Sequence, residues 1–388
     1  MRIAPDELPE RARAVLPGGN TRSTVFVPPH PPYAVAGEGC VVTDAQGHRV
    51  YDCNNNYTSL LHGHARREIV EVATETLARG SAFGLPTESE IELAELLRDR
   101  TGLTRWRFCN SGTEAVMMAV RVARAVTERS RIIRFEASYH GTYDGVVAAS
   151  ATGVPGAVEE QSVILPQADG AAFDAAMRQH GHEVAAVLID LMPNRAGLRP
   201  VPRDFVDHVR ARTREYGSLL VVDEVITFRL GVGGLRQRYG VAADLTTLGK
   251  VIGGGFPVGA VGGSVDVMKA FDPLGDGVVS WGGTFSANPV SMRAGATALR
   301  LYGKSEVDRL NALGDRLRQE LADSGLPVSG FGSLIRLLVD DPTVTWWALY
   351  REGVLAGTNG LLALSTAMTD DDVTEIGTRV RAAARAST

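Results

Sequence analysis

The sequence predicts an α/β protein with a large domain built on a mostly parallel sheet and a smaller α+β domain formed by the N- and C-terminal segments. Between residues 105 and 262, short apolar runs typical of buried strands alternate with segments of helical periodicity. Aromatic residues make up only 6% of the chain and Gly is abundant, as in tightly packed α/β proteins. The length of 388 residues allows two domains. We expect an N-terminal arm and part of the small domain at 1–50, the large domain at 51–290 and the C-terminal small domain at 291–388.

Composition and cysteine usage narrow the class of protein. The net charge of −5 is small and spread along the chain, which argues against a nucleic acid or a membrane surface as the main partner. Cys40, Cys53 and Cys109 show no CxxC spacing, so we expect reduced, buried thiols rather than disulfides or a zinc site. No apolar core of a signal peptide opens the sequence, and no apolar run approaches the length of a membrane span. A cytoplasmic location is therefore expected.

Turn residues and periodicity place the elements along the chain. A loop is predicted at 16–23 and a hairpin over 33–49. His62 and His64 have no Cys, Asp or Glu cluster beside them, so we interpret them as structural and expect no metal site. The further predictions, in chain order, are helices at 66–79 and 88–100, a strand at 106–109, a helix at 114–125, a strand at 131–135, an irregular or weakly helical segment at 151–180, a strand at 184–190, a helix at 204–216, strands at 218–225 and 244–249, a helix at 305–324, and strands at 334–339 and 361–364.

Lys250 is the most informative residue. It ends an apolar strand and precedes a glycine-dense turn at 253–255. Burial between apolar neighbours lowers the pKa of a lysine and frees its amine to attack a carbonyl. Glycines without a Cβ let the backbone pass close to a flat ligand. The pattern suggests a Schiff base with pyridoxal phosphate (PLP), while a strand-end lysine before an ordinary glycine turn is the alternative.

Three further signals lie at strand ends of the same predicted sheet. The turn at 110–113 begins a helix and suits a phosphate, or serves only as an N-cap. Tyr139 follows a strand and suits stacking on a flat ring, or core packing. Asp223 ends a run of four aliphatic residues, where a carboxylate needs a cationic partner such as a protonated pyridine nitrogen. Because parallel strands end at one edge of a sheet, Ser111, Tyr139, Asp223 and Lys250 are expected to converge there.

Arg22 lies in the loop at 16–23. Its guanidinium is a natural clamp for a carboxylate, although a lone loop arginine is more often solvated.

Taken together, these residues resemble the class III (ω-type) aminotransferases of PLP fold type I. The resemblance runs from residue 16 to residue 364 and is greatest to the glutamate-1-semialdehyde aminomutase branch and its β-amino-acid transaminase relatives. The motifs that carry it are Asn110-Ser111-Gly112-Thr113-Glu114-Ala115, Tyr139-His140-Gly141, Asp223-Glu224-Val225, Leu248-Gly249-Lys250, Gly253-Gly254-Gly255 and Gly283-Thr284.

The resemblance implies a role for each matching residue. Lys250 would form the Schiff base and act as the acid and base for the 1,3-proton shift, and Asp223 would keep the pyridine nitrogen protonated. Tyr139 would stack on the ring. The remaining cofactor-binding positions are Ser111, Gly112 and Thr113 for the phosphate, His140, Val225, and Thr284 from the second subunit of a homodimer.

Different motifs of the sequence resemble different branches of the family. Residues 83–88 resemble the aminomutases, whereas residues 18–23 and Tyr57 resemble the β-amino-acid transaminases, in which the arginine matching Arg22 binds the substrate carboxylate. Arg22, Tyr57 and Asn359 are therefore the candidate substrate-binding residues. Asn359 stands where those transaminases carry a second arginine, and Asp190-Leu191 stands where the family carries Glu-Pro. Both departures point away from a standard amino-acid substrate and toward specialised biosynthesis.

We therefore expect a PLP-dependent aminotransferase that moves an amino group between an amino acid or amine, including β- and ω-amino compounds, and a keto acid or ketone. The alternative is intramolecular amino transfer, as in glutamate-1-semialdehyde 2,1-aminomutase, or racemisation. A third hypothesis, a non-catalytic binding protein, conflicts with the retained Lys250 and Asp223.

Overall fold

The computed structural model describes residues 7–275 and 279–386. The chain divides into two compact units, one formed by Met1–Arg67 with Asp308–Thr388 and the other by Glu68–Val307. The domain boundaries predicted after residues 50 and 290 stay a prediction.

The strands, in chain order, are β1 (Ala34–Glu38), β2 (Val41–Asp44), β3 (Arg49–Asp52), β4 (Arg105–Cys109), β5 (Arg131–Phe135), β6 (Ser162–Leu165), β7 (Val184–Asp190), β8 (Leu219–Asp223), β9 (Leu245–Gly249), β10 (Gly259–Gly263), β11 (Val328–Phe331), β12 (Leu334–Leu337), β13 (Val354–Leu355) and β14 (Leu361–Ala363). The helices are α1 (Leu8–Val15), α2 (Asn55–Thr58), α3 (Arg67–Leu77), α4 (Glu88–Thr101), α5 (Gly112–Thr127), α6 (Gly156–Glu159), α7 (Gly170–His180), α8 (Arg203–Tyr216), α9 (Gly234–Tyr239), α10 (Val265–Met268), α11 (Pro289–Leu301), α12 (Lys304–Asp323), α13 (Pro342–Arg351) and α14 (Asp370–Ala386).

The larger unit is organised around one sheet of strand order β4-β10-β9-β8-β7-β5-β6. The pairs β5–β6, β5–β7, β7–β8 and β8–β9 are parallel, and β10 runs antiparallel to both β9 and β4. The predicted mostly parallel sheet is confirmed. Since β5 to β9 run in the same direction, their carboxyl ends form one edge, the usual position of a ligand site in such sheets.

Helices cover both faces of this sheet. Every residue of β7 is buried, as expected for a parallel strand between two helical layers. On one face α5 buries Ala115, Met118 and Val122 against the strands. Phe135, Phe173 and Phe205 pack together on the opposite face, with ring centroids 5.5–6.3 Å apart.

The prediction of an irregular or weakly helical segment at 151–180 was right about helix, since α6 and α7 lie there, but it missed the strand β6. β6 pairs in parallel with β5 at the edge of the sheet, and its apolar run at 163–165 is too short for periodicity to distinguish a strand from a helix. Asp169 caps α7 by accepting a hydrogen bond from the Ala172 N–H at 2.9 Å. Packing of Phe173 against the sheet then fixes a helix whose small residues give a weak amphipathic pattern.

The smaller unit carries a sheet of order β1-β2-β3-β13 and a second of order β11-β12-β14. The predicted hairpin is confirmed, since β1 and β2 are antiparallel. The Trp346 and Tyr350 rings of α13 stack at 5.1 Å, and both residues pack with Val42 and Val50. Within the described residues, no helix combines the length and apolar character needed to cross a membrane.

Candidate active site

Lys250 follows directly after β9 and begins a tight turn. Its φ is 51°, in the left-handed region that side-chain-bearing residues rarely occupy. The turn continues to Gly254, where a Cβ would lie 2.4 Å from the Ala294 carbonyl oxygen. The residue as a whole is only partly buried, but its amino group is enclosed by protein atoms. Burial lowers the pKa of this amine to about 8, against the opposing attraction of Asp223 and Asp190. The predicted lowering of the lysine pKa is thus found.

Asp223 is held in place by three donors at the end of β8. Its Oδ2 lies 2.7 Å from His140 Nδ1, and its Oδ1 accepts hydrogen bonds from the Val225 N–H at 3.0 Å and the Thr247 hydroxyl at 3.1 Å. The His140 side chain is completely buried, and its Nε2 has no hydrogen-bond partner among the residues that the structure describes. These contacts orient a buried carboxylate and compensate for its removal from water.

Asp190 lies beside Asp223 in the register of β7 and β8. It is buried, and its Oδ1 accepts one hydrogen bond, from the Met192 N–H at 2.9 Å. Burial, reinforced by the nearby charge of Asp223, raises the pKa of Asp190 to about 7. The edge therefore carries two acids with different surroundings, one fixed by three donors and one that titrates near neutrality.

The turn before α5 provides an anion site. Ser111 is the N-cap, and its hydroxyl accepts a hydrogen bond from the Glu114 N–H at 3.2 Å. Glu114 in turn accepts from the Asn110 N–H at 2.9 Å, a reciprocal arrangement that fixes the start of the helix. The N–H groups of Gly112 and Thr113 have no partner within the helix, and they lie at its positive end. Such a terminus binds a phosphate well.

Close contacts join this anion site to the strand ends. A Cβ at Gly112 would lie 3.0 Å from the Val225 side chain, and one at Gly141 would lie 2.4 Å from the Thr113 hydroxyl. The Val225 N–H donates a hydrogen bond to the Asp223 carboxylate, and Gly141 follows His140 in the sequence. The structure therefore brings together Ser111, Gly112, Thr113, His140, Val225, Asp223 and Lys250 at one edge of the sheet.

Tyr139 and Thr284 are more exposed. Tyr139 is 37% exposed, and the guanidinium carbon of Arg195 lies over its ring, 4.5 Å from the centroid. Thr284 is exposed on the loop before α11, and its side chain makes no hydrogen bond within residues 7–275 and 279–386. Within the described residues, no hydrogen bond therefore joins the Thr284 side chain to the other candidates.

The three substrate-binding candidates lie in the smaller unit. Arg22 Nη1 donates a hydrogen bond of 2.7 Å to Asn56 Oδ1. The Tyr57 hydroxyl bonds the Thr24 carbonyl and lies 2.9 Å from Thr358 Oγ1. Asn359 accepts a hydrogen bond from the Leu361 N–H at 3.3 Å, so its amide oxygen is turned into its own loop.

The segment that carries Asn56 and Tyr57 is strained. The four consecutive residues of α2 have φ values between 48° and 75°, so this segment is a left-handed turn. Asp52 Oδ1 stabilises its start by accepting from the N–H groups of Asn54 and Asn55 at 2.9 and 2.7 Å. Strain that the surroundings maintain in this way is common at functional sites.

Comparison with known proteins identifies the family. Residues 27–366 match the family described as aminotransferase class-III. The chain belongs to this family. Class III aminotransferases are enzymes of PLP fold type I and use PLP, so the predicted fold, enzyme class and cofactor are confirmed.

Relatives of two kinds resemble this enzyme. A glutamate-1-semialdehyde 2,1-aminomutase from Thermomicrobium roseum is 40% identical over 361 residues, which cover 87% of this chain and 83% of that protein. An omega-transaminase from Sphaerobacter thermophilus is 43% identical with a TM-score of 0.95, covering 99% of this chain and 98% of that one. A β-phenylalanine aminotransferase from Variovorax paradoxus is 32% identical with a TM-score of 0.89, covering 97% of this chain and 92% of that one.

The residues at the sheet edge fit PLP. The terminus of α5 suits its phosphate, the Asp223 carboxylate suits a protonated pyridine nitrogen, and the Lys250 amine suits its aldehyde. A Cβ at residue 112 would lie 3.0 and 3.1 Å from the two methyl groups of Val225, so a larger residue there would crowd the wall of the site. Within the described part of the chain, no group of three or more His, Cys, Asp or Glu residues is arranged to hold a metal ion.

Three features were missed from the sequence. His140 was expected to bind the cofactor, but its contact with Asp223 was not foreseen, and Thr247 and Arg195 were not considered. Thr246 and Thr247 gave a signal, because hydroxyls are unusual in a fully buried strand. The Arg195 contact joins residues far apart in the sequence and left no local pattern.

Proposed function

We propose that the enzyme is a transaminase that moves an amino group from an amino acid or amine, including donors with a β- or ω-amino group, to a keto acid or ketone. The observation that carries this proposal is the arrangement of Lys250 and Asp223. An amine with a pKa of about 8 lies at the end of β9, and a carboxylate fixed by three donors ends the neighbouring strand. A role in specialised biosynthesis, which the departures at Asp190 and Asn359 suggest, is part of the proposal.

When bound, PLP supplies an electron sink for the electron pair left by the broken bond at the substrate carbon. In our proposal, Lys250 takes the proton from that carbon and returns it one position away. An amine whose pKa lies near neutrality does both efficiently, because neither protonation state is strongly favoured. Asp223 holds a proton on the pyridine nitrogen, and His140 and Thr247 keep its carboxylate oriented.

The remaining cofactor contacts are proposed from where each residue lies in the structure. Ser111, Gly112 and Thr113 bind the phosphate at the terminus of α5. Tyr139 and Val225 contact the ring, and His140 acts on it through Asp223. Thr284 contributes from the second subunit of a homodimer, which agrees with its exposure and its lack of hydrogen bonds within the described chain.

We further propose that Arg22, Tyr57 and Asn359 bind the substrate. Arg22 would supply a guanidinium for a carboxylate, and its bond to Asn56 limits the positions that this guanidinium can take. Asn359 carries no charge, so a second carboxylate would find only an amide there.

The proposal is tested by dependence on an acceptor. Without a keto acid or ketone, an amino donor should yield at most one equivalent of keto product per active site. Addition of the acceptor should then give continuous turnover. If a broad panel of amino acids and amines gives no product in either condition, the transaminase proposal fails.

Intramolecular amino transfer is the second candidate, and it is supported by the 40% identity to the aminomutase from Thermomicrobium roseum. The same lysine and aspartate would serve it. Conversion of glutamate-1-semialdehyde into its amino isomer without any acceptor would favour this reaction, and inversion of a single amino acid would favour racemisation. The near-complete coverage of the omega-transaminase, 99% and 98% of the two chains, favours transfer between two substrates.

The shared site of the proposed homodimer is tested with two inactive variants. Lys250→Ala removes the amine, and Thr284→Glu places a negative charge against the phosphate. If each site uses Lys250 of one subunit and Thr284 of the other, a mixed dimer has one intact site and regains activity. Dimers whose sites lie within single subunits stay inactive after mixing. The proposed cytoplasmic location is supported by three free, buried cysteines, which suit a reducing compartment.

A further inference from the structure

Arg195 is placed at the edge of the site by the segment that follows β7. It lies in a short 3-10 turn, Asn194–Ala196, and its guanidinium covers the Tyr139 ring at 4.5 Å. The residue is exposed. Within residues 7–275 and 279–386, its side chain makes no ion pair and no hydrogen bond.

The turn that carries Arg195 is anchored at several points. The Ala196 and Leu198 N–H groups both bond the Pro193 carbonyl at 3.1 Å, and Val201 N bonds the Leu191 carbonyl at 2.9 Å. Leu198 is fully buried. The guanidinium therefore projects from a fixed turn, which lowers the entropy lost when it binds a partner.

The contact with Tyr139 leaves the binding capacity of Arg195 intact. A guanidinium over an aromatic ring interacts through its charge and flat face, whereas its five N–H donors lie in its own plane. A planar carboxylate matches two of these donors at once. A cation on an anchored turn, whose donors are unused among the described residues, can thus bind a planar anion.

The acids of the same edge are already engaged. Asp223 is bonded by His140, Thr247 and the Val225 N–H. Asp190 bonds the Met192 N–H, and burial favours its neutral form. Neither of these two acids is therefore available to pair with Arg195.

We propose that Arg195 is a specificity-determining residue that binds the carboxylate of the amino-acid donor. The inference rests on the proposed transaminase function, because that reaction brings an amino acid to Lys250 at the same edge. Tyr139 supports the guanidinium from one face, and the substrate carboxylate lies along its donor edge. The enzyme accordingly prefers a carboxylate-bearing donor over the amine that lacks this group.

The test compares Arg195→Gln and Arg195→Lys with the unchanged holoenzyme. Gln removes the charge, whereas Lys keeps it without the planar fork. Arg199→Gln is the matched control, since Arg199 is another exposed arginine of the segment that follows β7. Calorimetry measures binding of 3-phenylpropanoate, a carboxylate that cannot react, and of the neutral 3-phenylpropan-1-ol.

Arg195→Gln should weaken 3-phenylpropanoate binding at least about tenfold, as expected for loss of a charge-assisted pair, and leave the alcohol unchanged. The affinity of Arg195→Lys for 3-phenylpropanoate should lie between those of Arg195→Gln and the unchanged enzyme. The affinity of Arg199→Gln should match that of the unchanged enzyme. In kinetics, Arg195→Gln should lower kcat/KM for 3-aminobutanoate but not for 2-aminobutane, mainly through KM.

Two results overturn the proposal. Equal losses for 3-aminobutanoate and 2-aminobutane would mean that Arg195 acts through Tyr139 or the cofactor, and unchanged 3-phenylpropanoate binding in Arg195→Gln would remove it from the site. Failure of the transaminase proposal is recognised separately, because it appears as lack of acceptor dependence in the unchanged enzyme. The calorimetric comparison does not require turnover.

Discussion

Asp190 and Asp223 are direct neighbours across β7 and β8, yet their surroundings differ in the number of donors that they receive. Asp223 receives hydrogen bonds from three donors, whereas Asp190 receives one from the Met192 N–H. Two adjacent buried carboxylates repel each other when both are charged, so the one with fewer donors is expected to take up a proton first. The pKa of Asp190 is accordingly raised to about 7.

This relationship predicts how stability changes with pH. The folded protein holds a proton on Asp190 up to about pH 7, whereas the unfolded chain releases it near the ordinary aspartate pKa of 3.8. The folded state binds more protons between these values, so the contribution of Asp190 to the free energy of unfolding decreases as pH rises from about 4 to 7. It changes by about 1.4 kcal/mol for each pH unit in that window and is constant above it.

Asp190→Asn should remove this loss of stability between pH 4 and 7, because an amide does not titrate. The variant should match the unchanged protein near pH 4 and exceed its free energy of unfolding at pH 8 by roughly 2–4 kcal/mol. Urea unfolding of protein freed of cofactor measures this, because only groups of the chain then titrate. Asp266→Asn, at an exposed acid, is the control and should show no such change. Parallel pH profiles for Asp190→Asn and the unchanged protein would show that Asp190 is not protonated at neutral pH.

Lys250 is expected to be the residue that binds the cofactor covalently. The sequence contains only three lysines, Lys250, Lys269 and Lys304, so borohydride reduction followed by peptide mass mapping gives a clear assignment. The label should appear on the peptide with Lys250 and disappear in Lys250→Ala. Lys269→Ala should keep it. A label on Lys269 or Lys304 would refute the assignment.

Thr247 is expected to affect cofactor affinity through Asp223. Thr247→Val keeps the shape of the side chain in β9 but removes the 3.1 Å hydrogen bond to Asp223 Oδ1. Loss of about 1 kcal/mol should weaken PLP binding roughly fivefold, as measured by titration of the cofactor-free protein.

The neighbouring Thr246 provides a matched control. It is fully buried in the same strand, and in the described part of the chain its hydroxyl has no hydrogen-bond partner. Thr246→Val should therefore leave PLP affinity unchanged and maintain or increase stability. If both threonine variants weaken PLP binding equally, the effect is a general one of the strand and not of the bond to Asp223.

Arg22→Ala should weaken carboxylate-bearing substrates. Loss of a charge-assisted contact worth roughly 1.5–3 kcal/mol raises the apparent KM for such substrates about ten- to a hundredfold. Amines without a carboxylate should be unaffected. Arg11→Ala, at another exposed arginine of the N-terminal segment, should leave both kinds of substrate unchanged. An unchanged KM for carboxylates would exclude Arg22 from the site.

The sequence by itself determined the elements with strong local patterns. β7 was predicted at 184–190 because an uninterrupted apolar run is typical of a parallel strand buried on both faces. The apolar strand before Lys250 indicated β9, and the small residues at 110–113 indicated the N-terminus of α5. Parallel connectivity alone then predicted that these strand ends share an edge.

Tertiary structure decided what depends on contacts between distant segments. β5 and the phenylalanine cluster hold β6 and α7, whose own signals are ambiguous because β6 is only four residues long and α7 is rich in small residues. The bond between His140 and Asp223 and the position of Arg195 over Tyr139 join residues that are remote in the chain. Local sequence indicates where a strand lies and that it is buried, but the partner of a side chain depends on which strand lies next to it.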